Sequence, residues 1–410
     1  MTPDQALDIA DALASPAALT LPAREQWWRQ SLAHGAPGIT LLHAELAAAG
    51  LRPFDRVHSW LTAAASGPVT TGTDTGLWYG APAIAFTMTA ATAAHPGAYR
   101  GARKALDEAV AADALRRAQV GRARIACGQP PELAEFDAIR GLSGLGAHLL
   151  HSDPGGEALR EVLHYLVQLA QPLPGDGGRP VPGWWTLSGS NGRPDPNMPS
   201  GHANFGLAHG ICGPLALASL AALHGVTVPG QLDAIATWCR WLDRWRIDTE
   251  AGARWPYVIT RAELDEPPAD PAEITHSGAA RRPSWCYGTA GLARAQQLAA
   301  LATGDRARQH LAEHALLGAL ADPGQRATVR DSSLCHGFTG LAHIAHLAAA
   351  DADEANAGPL RRLATALLHQ ATAADDGPGL LEGRAGTALA ALAPLTGKAA
   401  TGWDTRFLIA

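Results

Sequence analysis

Residues 334–341 of the 410-residue chain read Leu334-Cys335-His336-Gly337-Phe338-Thr339-Gly340-Leu341. In this stretch a polar residue precedes two glycines that lie three positions apart, and an apolar run rich in alanine and leucine follows. The same signal occurs six more times, once with alanine as the second small residue, at His34-Gly35-x-x-Gly38, Tyr79-Gly80-x-x-Ala83, Arg140-Gly141-x-x-Gly144, His209-Gly210-x-x-Gly213, Tyr287-Gly288-x-x-Gly291 and Glu382-Gly383-x-x-Gly386. Successive first glycines are 45 to 78 residues apart, which suits repeated helical hairpins with longer connections in the middle of the chain. The sequence therefore predicts seven hairpins.

The runs that follow the glycines differ from the segments that precede them. Residues 214–217 (Pro-Leu-Ala-Leu) are apolar on every side, which predicts a helix buried on most faces. Residues 154–166 mix charges with a single apolar stripe, which predicts an amphipathic outer helix. Alanine-rich helices inside a ring of amphipathic ones form an all-α fold of the α/α-barrel type. The glycines would then lie at one end of the barrel and allow tight turns around a shared cavity.

Length and composition narrow the class of protein. We expect one domain over residues 1–410, because a ring of repeats closes only when it is complete. The formal charge of -6 comes without a basic patch, so nucleic acid is not an expected partner. The acidic start resembles no signal peptide, and no apolar run approaches the ~20 residues needed to span a bilayer, so we expect no stable membrane insertion. Five cysteines, an odd number, indicate reduced thiols and a cytoplasmic location.

Two of the seven motifs carry cysteine. Cys286 precedes Tyr287-Gly288, and Cys335 directly precedes His336. If the glycine turns converge, two thiols and one imidazole meet and leave a fourth position open, which is the ligand set of a catalytic zinc site. Thiolates are soft ligands and favour zinc over magnesium, calcium or manganese. A single cysteine is more often a buried small hydrophobic residue, but equivalent positions in neighbouring repeats favour ligation here.

This ligand set also indicates the substrate. Two thiolates already cancel the charge of the dication, which weakens it for activating water but suits it to binding a third sulfur. A metal-bound thiolate stays nucleophilic at neutral pH, where a free thiol of pKa ~8.5 is mostly protonated. We therefore expect a thiol substrate.

Four more residues near the motifs are candidates for chemistry. His209 has an imidazole suited to proton transfer, and Asp137, four residues before Gly141, could orient it or relay a proton. Arg282 could hold an anion near the metal, and Tyr287 could donate a hydrogen bond. Taken singly, each of these is also compatible with a cap or a hydrogen-bonded core residue. Cys127, Cys212 and Cys239 have no equivalent in other repeats and are predicted to be structural.

The motifs in combination resemble the lanthionine synthetase C-like family, the cyclases of class I lanthipeptide biosynthesis. The resemblance covers nearly the whole chain and is carried by Phe136-Asp137-x-x-x-Gly141-Leu142-x-Gly144, Gly206-Leu207-Ala208-His209-Gly210, Trp285-Cys286-Tyr287-Gly288 and Cys335-His336-Gly337. It implies an α/α toroid of about seven inner and seven outer helices around a zinc ion.

By motif position, the resemblance assigns the zinc ligands to Cys286, Cys335 and His336. It assigns proton handling to His209, the acidic residue to Asp137, and the flanking arginine and tyrosine to Arg282 and Tyr287. A known bacterial member carries an accessory subdomain similar to an SH2 domain. Residues 84–135 are the comparable place in this chain, and they show no strong strand pattern.

The activity implied by the resemblance is addition of a peptide cysteine thiol to dehydroalanine or dehydrobutyrine, which forms a lanthionine or methyllanthionine thioether ring. The expected partners are a dehydrated precursor peptide, with leader and core, and a dehydratase and an exporter. Two alternatives stay open: an enzyme that adds glutathione to dehydroamino acids, and a non-catalytic scaffold of a lanthipeptide synthetase complex. An α/α-barrel glycosidase is disfavoured, because the motifs offer only Asp137 and Glu382 as carboxylates.

Overall fold

The structure of the protein is a computed structural model that describes residues 1–19, 26–175, 178–189, 191–270, 273–274, 282–372, 377–396 and 399–410. Helices dominate the described residues. The α-helices are α1 Pro3–Ala12, α2 Ala36–Ala48, α3 Asp55–Ala64, α4 Ala81–Ala91, α5 Arg100–Ala126, α6 Leu133–Phe136, α7 Leu142–Ser152, α8 Glu157–Gln168, α9 Cys212–Leu223, α10 Gln231–Arg244, α11 Arg261–Asp265, α12 Thr289–Thr303, α13 Arg306–Ala321, α14 Pro323–Arg326, α15 Phe338–Asp351, α16 Glu354–Gln370 and α17 Arg384–Thr396. Short 3-10 helices cover Pro16–Ala18, Gln26–Gln30, Gly72–Asp74 and Trp403–Phe407.

Four short strands form two antiparallel pairs. The strands are β1 His202–Asn204, β2 Ile247–Thr249, β3 Gly252–Arg254 and β4 Val258–Thr260. β1 pairs with β4, with Ala203 opposite Ile259, and β2 pairs with β3. The first pair holds the connection before α11 against the segment that leads to His209.

The helices fall into two compact units. One comprises Met1–Asp113, Val329–His346 and Arg361–Arg406, and in it α2 packs on α3, α4 and α17. The other comprises Ala114–Thr328, Leu347–Leu360 and Phe407–Ala410, and in it α12 packs on α9 and α13 while α7 packs on α8 and α9.

Burial follows the two classes of segment predicted from the sequence. Ten of the twelve residues of α9, which follows a glycine motif, are buried, whereas six of the twelve residues of α8 are buried. The difference has a direct cause, because α9 is apolar on all sides while α8 has one apolar stripe. Residues 84–135, the place comparable to the accessory subdomain, contain the end of α4, the long helix α5 and the short helix α6.

The second glycine of the motif is required by a backbone contact. A Cβ atom at this position would overlap a carbonyl oxygen six residues earlier, that of Leu32 for Gly38, Trp285 for Gly291, Leu334 for Gly340 and Leu380 for Gly386. At Gly213 the same carbonyl, that of Leu207, would lie 3.0 Å from the added atom. At Gly38, Gly291, Gly340 and Gly386 the chain therefore passes its own backbone more closely than a side chain permits, and at Gly213 the approach is tight.

Backbone hydrogen bonds join neighbouring motif loops within each unit. In the first unit, Leu32 donates to Trp78 (2.8 Å), Cys335 donates to Leu381 (3.0 Å), and Leu380 and Leu381 both donate to Ala33 (2.8 Å each). In the second unit, Ala138 donates to Ala208 (3.0 Å), and Leu207 and Ala208 donate to Cys286 (3.0 and 3.3 Å). The last motif is thus bonded to the first.

Among the residues that the structure describes, no helix combines the length and the apolar character that crossing a bilayer requires.

We predict that Gly386→Ala lowers the free energy of unfolding by about 1–3 kcal/mol or more, because the new methyl group would overlap the Leu380 carbonyl. Gly101→Ala is the matched control, since a Cβ there has no neighbour within 4 Å. The control should be neutral or stabilising by less than about 1 kcal/mol. Thermal unfolding of both variants measures the difference, and equal melting temperatures would contradict the close-contact explanation.

Candidate active site

The predicted pair Asp137 and His209 is brought together in the structure. His209 Nδ1 lies 2.7 Å from Asp137 Oδ2, and the side chains are 20% and 2% exposed. The other carboxylate oxygen, Oδ1, accepts hydrogen bonds from the backbone N–H groups of Ile139, Arg140 and Gly141, at 2.7 to 3.0 Å. The carboxylate is therefore fixed by the turn that follows α6, and it fixes the imidazole in turn. With Nδ1 bound to the carboxylate, Nε2 is the nitrogen that can exchange a proton with a substrate.

The loop that carries Cys286 is fixed against the loop of His209. The Cys286 carbonyl accepts hydrogen bonds from Leu207 and Ala208, which directly precede His209. The Cys286 Sγ atom lies 3.7 Å from the Ser284 hydroxyl, and this hydroxyl also contacts the Tyr287 carbonyl. Gly288 directly precedes α12 and has φ +120°, and a Cβ there would overlap the Arg282 carbonyl, so glycine is required at that position.

Tyr287 and Arg282 lie beside this loop. The Tyr287 ring is 6.3 Å from the His209 ring and 5.3 Å from the Tyr257 ring, measured between centroids. Burial raises the pKa of Tyr287, so the phenol keeps its proton at neutral pH. The Tyr257 hydroxyl donates to the Arg282 carbonyl (3.4 Å). Burial also raises the pKa of Tyr257 to about 12, although the Arg282 charge opposes the shift.

Cys335 and His336 lie on the loop that begins α15. The Cys335 N–H donates to the Leu381 carbonyl (3.0 Å), and the His336 N–H donates to the Ser333 hydroxyl (3.2 Å). His336 Nε2 lies 3.1 Å from Asp331 Oδ2, whereas Nδ1 is 3.9 Å from the Glu382 carboxylate. The two ring nitrogens thus face different carboxylates, and Nε2 is the one at hydrogen-bond distance.

Asp331 is a partner of the candidate ligand His336 that the sequence reasoning missed. Its Oδ1 accepts the Ser333 N–H (2.8 Å) while Oδ2 faces His336. Burial opposes ionisation, but the hydrogen bonds from His336 and Ser333 outweigh it and lower the pKa of Asp331 to about 2. The available signal was an aspartate two residues before Ser333, the same turn that Asp137 forms with Ile139.

The described residues contain a group with the predicted metal-ligand chemistry. The potential ligand atoms of Cys286, Cys335 and His336 all lie within 4.8 Å of one another. The remaining thiols have no such environment: burial raises the pKa of the Cys212 thiol and raises that of Cys239 to about 11, and Cys127 is exposed. Metal binding requires thiolates, so neither Cys212 nor Cys239 is suited to it.

A second group with ligand-type atoms, His310, Glu313 and Asp353, has other partners. Arg306 lies 3.2 Å from Asp353, and the side-chain amides of Gln309 and Asn356 donate to Glu313 at 2.9 and 2.8 Å. The side-chain amide of Gln297 also donates to Glu313, at 3.1 Å. One cation and three amides thus already pair with these carboxylates, so the group is explained by structural hydrogen bonds.

The class of protein to which this chain belongs follows from comparison with known proteins. The fold matches a solved structure described as nisin cyclase, with a TM-score of 0.76 and 20% identity over 99% of this chain and 98% of that chain. The match confirms the predicted all-α fold of the α/α-toroid type. A family model described as lanthionine synthetase C-like protein matches residues 26–408, so the chain belongs to that family.

The chain is also similar in sequence to a characterised biosynthesis protein. The Nisin biosynthesis protein NisC of Lactococcus lactis subsp. lactis is 24% identical over 221 residues, which are 53% of this chain and 49% of NisC. The matched stretch thus spans about half the length of this relative. The family predicted from the motifs is confirmed by these findings together.

We predict that Asp137→Ala destabilises the protein by about 1–3 kcal/mol. Three backbone N–H groups would lose their acceptor, and His209 would lose its carboxylate partner. His209→Ala removes one hydrogen bond of this carboxylate and leaves its three to the backbone, so it should cost less than Asp137→Ala. Thermal unfolding of the two variants compares the costs. Equal losses would show that the backbone hydrogen bonds of Asp137 contribute little.

Proposed function

We propose that this protein is a zinc-dependent lanthipeptide cyclase. It adds cysteine thiols of a precursor peptide to dehydroalanine or dehydrobutyrine in the same peptide and forms lanthionine or methyllanthionine rings. The observation that carries the proposal is the group of two thiols and one imidazole in a chain that also holds the Asp137–His209 pair. Membership of the lanthionine synthetase C-like family, and the similarity to NisC and to nisin cyclase, support it.

The residues present fit a zinc ion. Cys286, Cys335 and His336 supply two sulfur ligands and one nitrogen ligand, which is the three-ligand set of catalytic zinc sites. His336 would bind through Nδ1, because its Nε2 faces Asp331. When bound, zinc would lower the pKa of the substrate thiol, so that the sulfur reacts as a thiolate near neutral pH.

The protein's own groups account for the movement of protons. His209 Nε2 takes the proton of the incoming thiol, and Asp137 stabilises the imidazolium through Nδ1. The sulfur bonds to the β-carbon, and the π electrons of the alkene move onto the carbonyl oxygen to give an enolate. Arg282 stabilises this negative charge, and His209 Nε2 returns the proton to the α-carbon. The addition is complete without consuming water.

We further propose that a dehydrated precursor peptide with its leader is the substrate, and that a dehydratase and an exporter act beside this protein. None of the five cysteines forms a disulfide, which suits a reducing cytoplasm, the location we propose for the reaction.

The proposed function is tested with zinc-loaded protein and a dehydrated precursor peptide. We expect free thiols, counted by alkylation, to disappear faster than without protein, while the unalkylated peptide keeps its mass because addition is an isomerisation. Thiols that persist at the uncatalysed rate would overturn the cyclase proposal. Consumption of glutathione, but not of peptide thiols, would indicate the glutathione-adding enzyme instead.

Variants separate metal binding from proton transfer in the same assay. Cys335→Ala should lose stoichiometric zinc, whereas Cys212→Ala, which alters a thiol buried in α9, should keep it. His209→Asn should keep zinc and lose controlled cyclisation. Elemental analysis gives the zinc content, and full zinc content in Cys335→Ala would refute the ligand assignment.

We predict that Asp331→Ala lowers zinc affinity roughly 10- to 100-fold, because the imidazole of His336 loses the carboxylate that orients it and raises its basicity. Competition with a chromophoric chelator measures the affinity. The exposed Asp74 provides the control variant, Asp74→Ala, with unchanged affinity expected. Wild-type affinity in Asp331→Ala would show that Asp331 does not orient the ligand.

A further inference from the structure

A buried amide beside Tyr287 lies outside every motif of the sequence. Asn204 is the last residue of β1, five residues before His209, and its side chain is 3% exposed. Its Nδ2 lies 3.0 Å from the Tyr287 hydroxyl oxygen, and its Oδ1 accepts the Gly206 N–H at 2.9 Å. The amide therefore connects the backbone of the His209 loop to the phenol on the Cys286 loop.

The orientation of this amide follows from its partners. The Gly206 N–H can only donate, so the side-chain oxygen of Asn204 must face it. The amide NH₂ group is then turned toward Tyr287 and must donate to the phenol oxygen. Rotating the amide by 180° would set the Gly206 N–H donor against the NH₂ group and lose that hydrogen bond, so the Gly206 N–H fixes the orientation.

The surrounding backbone keeps the amide in this place. The Asn204 carbonyl accepts the Ile211 N–H (3.0 Å), and strand β1 is held by β4. At Gly206 an added Cβ would lie 2.7 Å from Tyr287 Cε1 and 2.8 Å from the Cys286 carbonyl oxygen. Glycine at this position thus lets the loop approach the tyrosine closely.

The consequence concerns the proton of the phenol. Because the Tyr287 oxygen accepts from Asn204, its own O–H hydrogen points elsewhere, and within the described part of the chain no group accepts it. Asn204 thus occupies the acceptor side of the hydroxyl and leaves the donor side free. A half-buried hydroxyl in this state, one residue after Cys286, can donate to a substrate oxygen.

We propose that Asn204 is a positioning residue that makes Tyr287 a hydrogen-bond donor to the carbonyl oxygen of the dehydroamino acid. The assignment rests on the proposed function. As sulfur bonds to the β-carbon, the alkene π electrons shift onto that carbonyl oxygen, and the Tyr287 O–H hydrogen bond stabilises the enolate charge. When the α-carbon receives its proton from His209 Nε2, the charge is removed, and Tyr287 retains its own proton throughout.

The inference is tested by measuring kcat and KM of ring formation for Asn204→Ala, Tyr287→Phe and the double variant. Tyr287→Phe should lower kcat roughly 100-fold, as loss of one oxyanion donor does, and Asn204→Ala roughly tenfold, both with little change in KM. Since Asn204 acts through the phenol, Asn204→Ala should have less than about a twofold effect when residue 287 is already Phe. Asn204→Asp should lower kcat more than Asn204→Ala, because a carboxylate would accept the phenol proton.

Asn356→Ala is the matched control. Asn356 is also buried (6% exposed) and donates its Nδ2 to a carboxylate, that of Glu313, away from Tyr287. This control should keep wild-type kcat, and zinc content and melting temperature are measured for every variant. A tenfold loss in Asn356→Ala would attribute the Asn204 effect to general loss of buried hydrogen bonds and overturn the inference.

Other results would separate a failure of the role of Asn204 from a failure of the proposed function. A wild-type kcat in Asn204→Ala, or equal tenfold effects of this change with and without the phenol, would overturn the role of Asn204 while leaving the cyclase proposal intact. Wild-type protein that forms no ring would overturn the proposed function, and the role of Asn204 with it.

Discussion

The contact between a motif glycine and a carbonyl oxygen of its own loop is the constraint on which the candidate site depends. Five loops repeat it, from Gly38 to Gly386, and each loop begins a buried helix. Because the backbone path is set by this contact, the residue before the first glycine of a loop is placed with little freedom. His209, Tyr287 and His336 all stand at that position. Their chemistry differs, but the backbone that presents them is the same.

Asp137 and Asp331 form the same kind of turn, and each of them contacts an imidazole. In Asp137 and Asp331, one carboxylate oxygen accepts the backbone N–H two residues later, and the other faces an imidazole. The turn anchors the carboxylate, so the imidazole is oriented without a further side chain. In His209 the carboxylate faces Nδ1, and the other ring nitrogen, Nε2, suits proton transfer. In His336 the carboxylate faces Nε2, and we propose Nδ1 as the metal ligand. The difference between the two imidazoles follows from which ring nitrogen faces the carboxylate.

Much of this arrangement could be predicted from the sequence. The glycine spacing indicated the helical hairpins, and apolar patterning separated the buried α9 from the amphipathic α8. The two cysteines and the imidazole of the metal-type group were visible because they adjoin glycines in equivalent repeats. Asp137 was accessible to the same reasoning, since it belongs to a recognisable motif.

Asp331 and Asn204 could not be predicted in this way. Asp331 precedes its motif by a turn whose direction depends on the Ser333 backbone. Asn204 lies on a three-residue strand whose pairing with β4 spans more than fifty residues. Local periodicity does not indicate the position of either side chain. The proposed role of each side chain depends on which of its atoms faces which neighbouring residue. Side-chain direction of this kind emerges only when the loops are assembled.

The hydrogen bonds from Leu380 and Leu381 to Ala33 have a consequence for biosynthesis of the chain. The ribosome releases the first hairpins long before their last neighbours exist, so apolar faces of α2 stay uncovered during most of translation. Such late, distant pairing slows folding and exposes the nascent chain to aggregation. Expression should therefore depend on chaperone capacity and on temperature more than that of a protein of similar size with sequential domains.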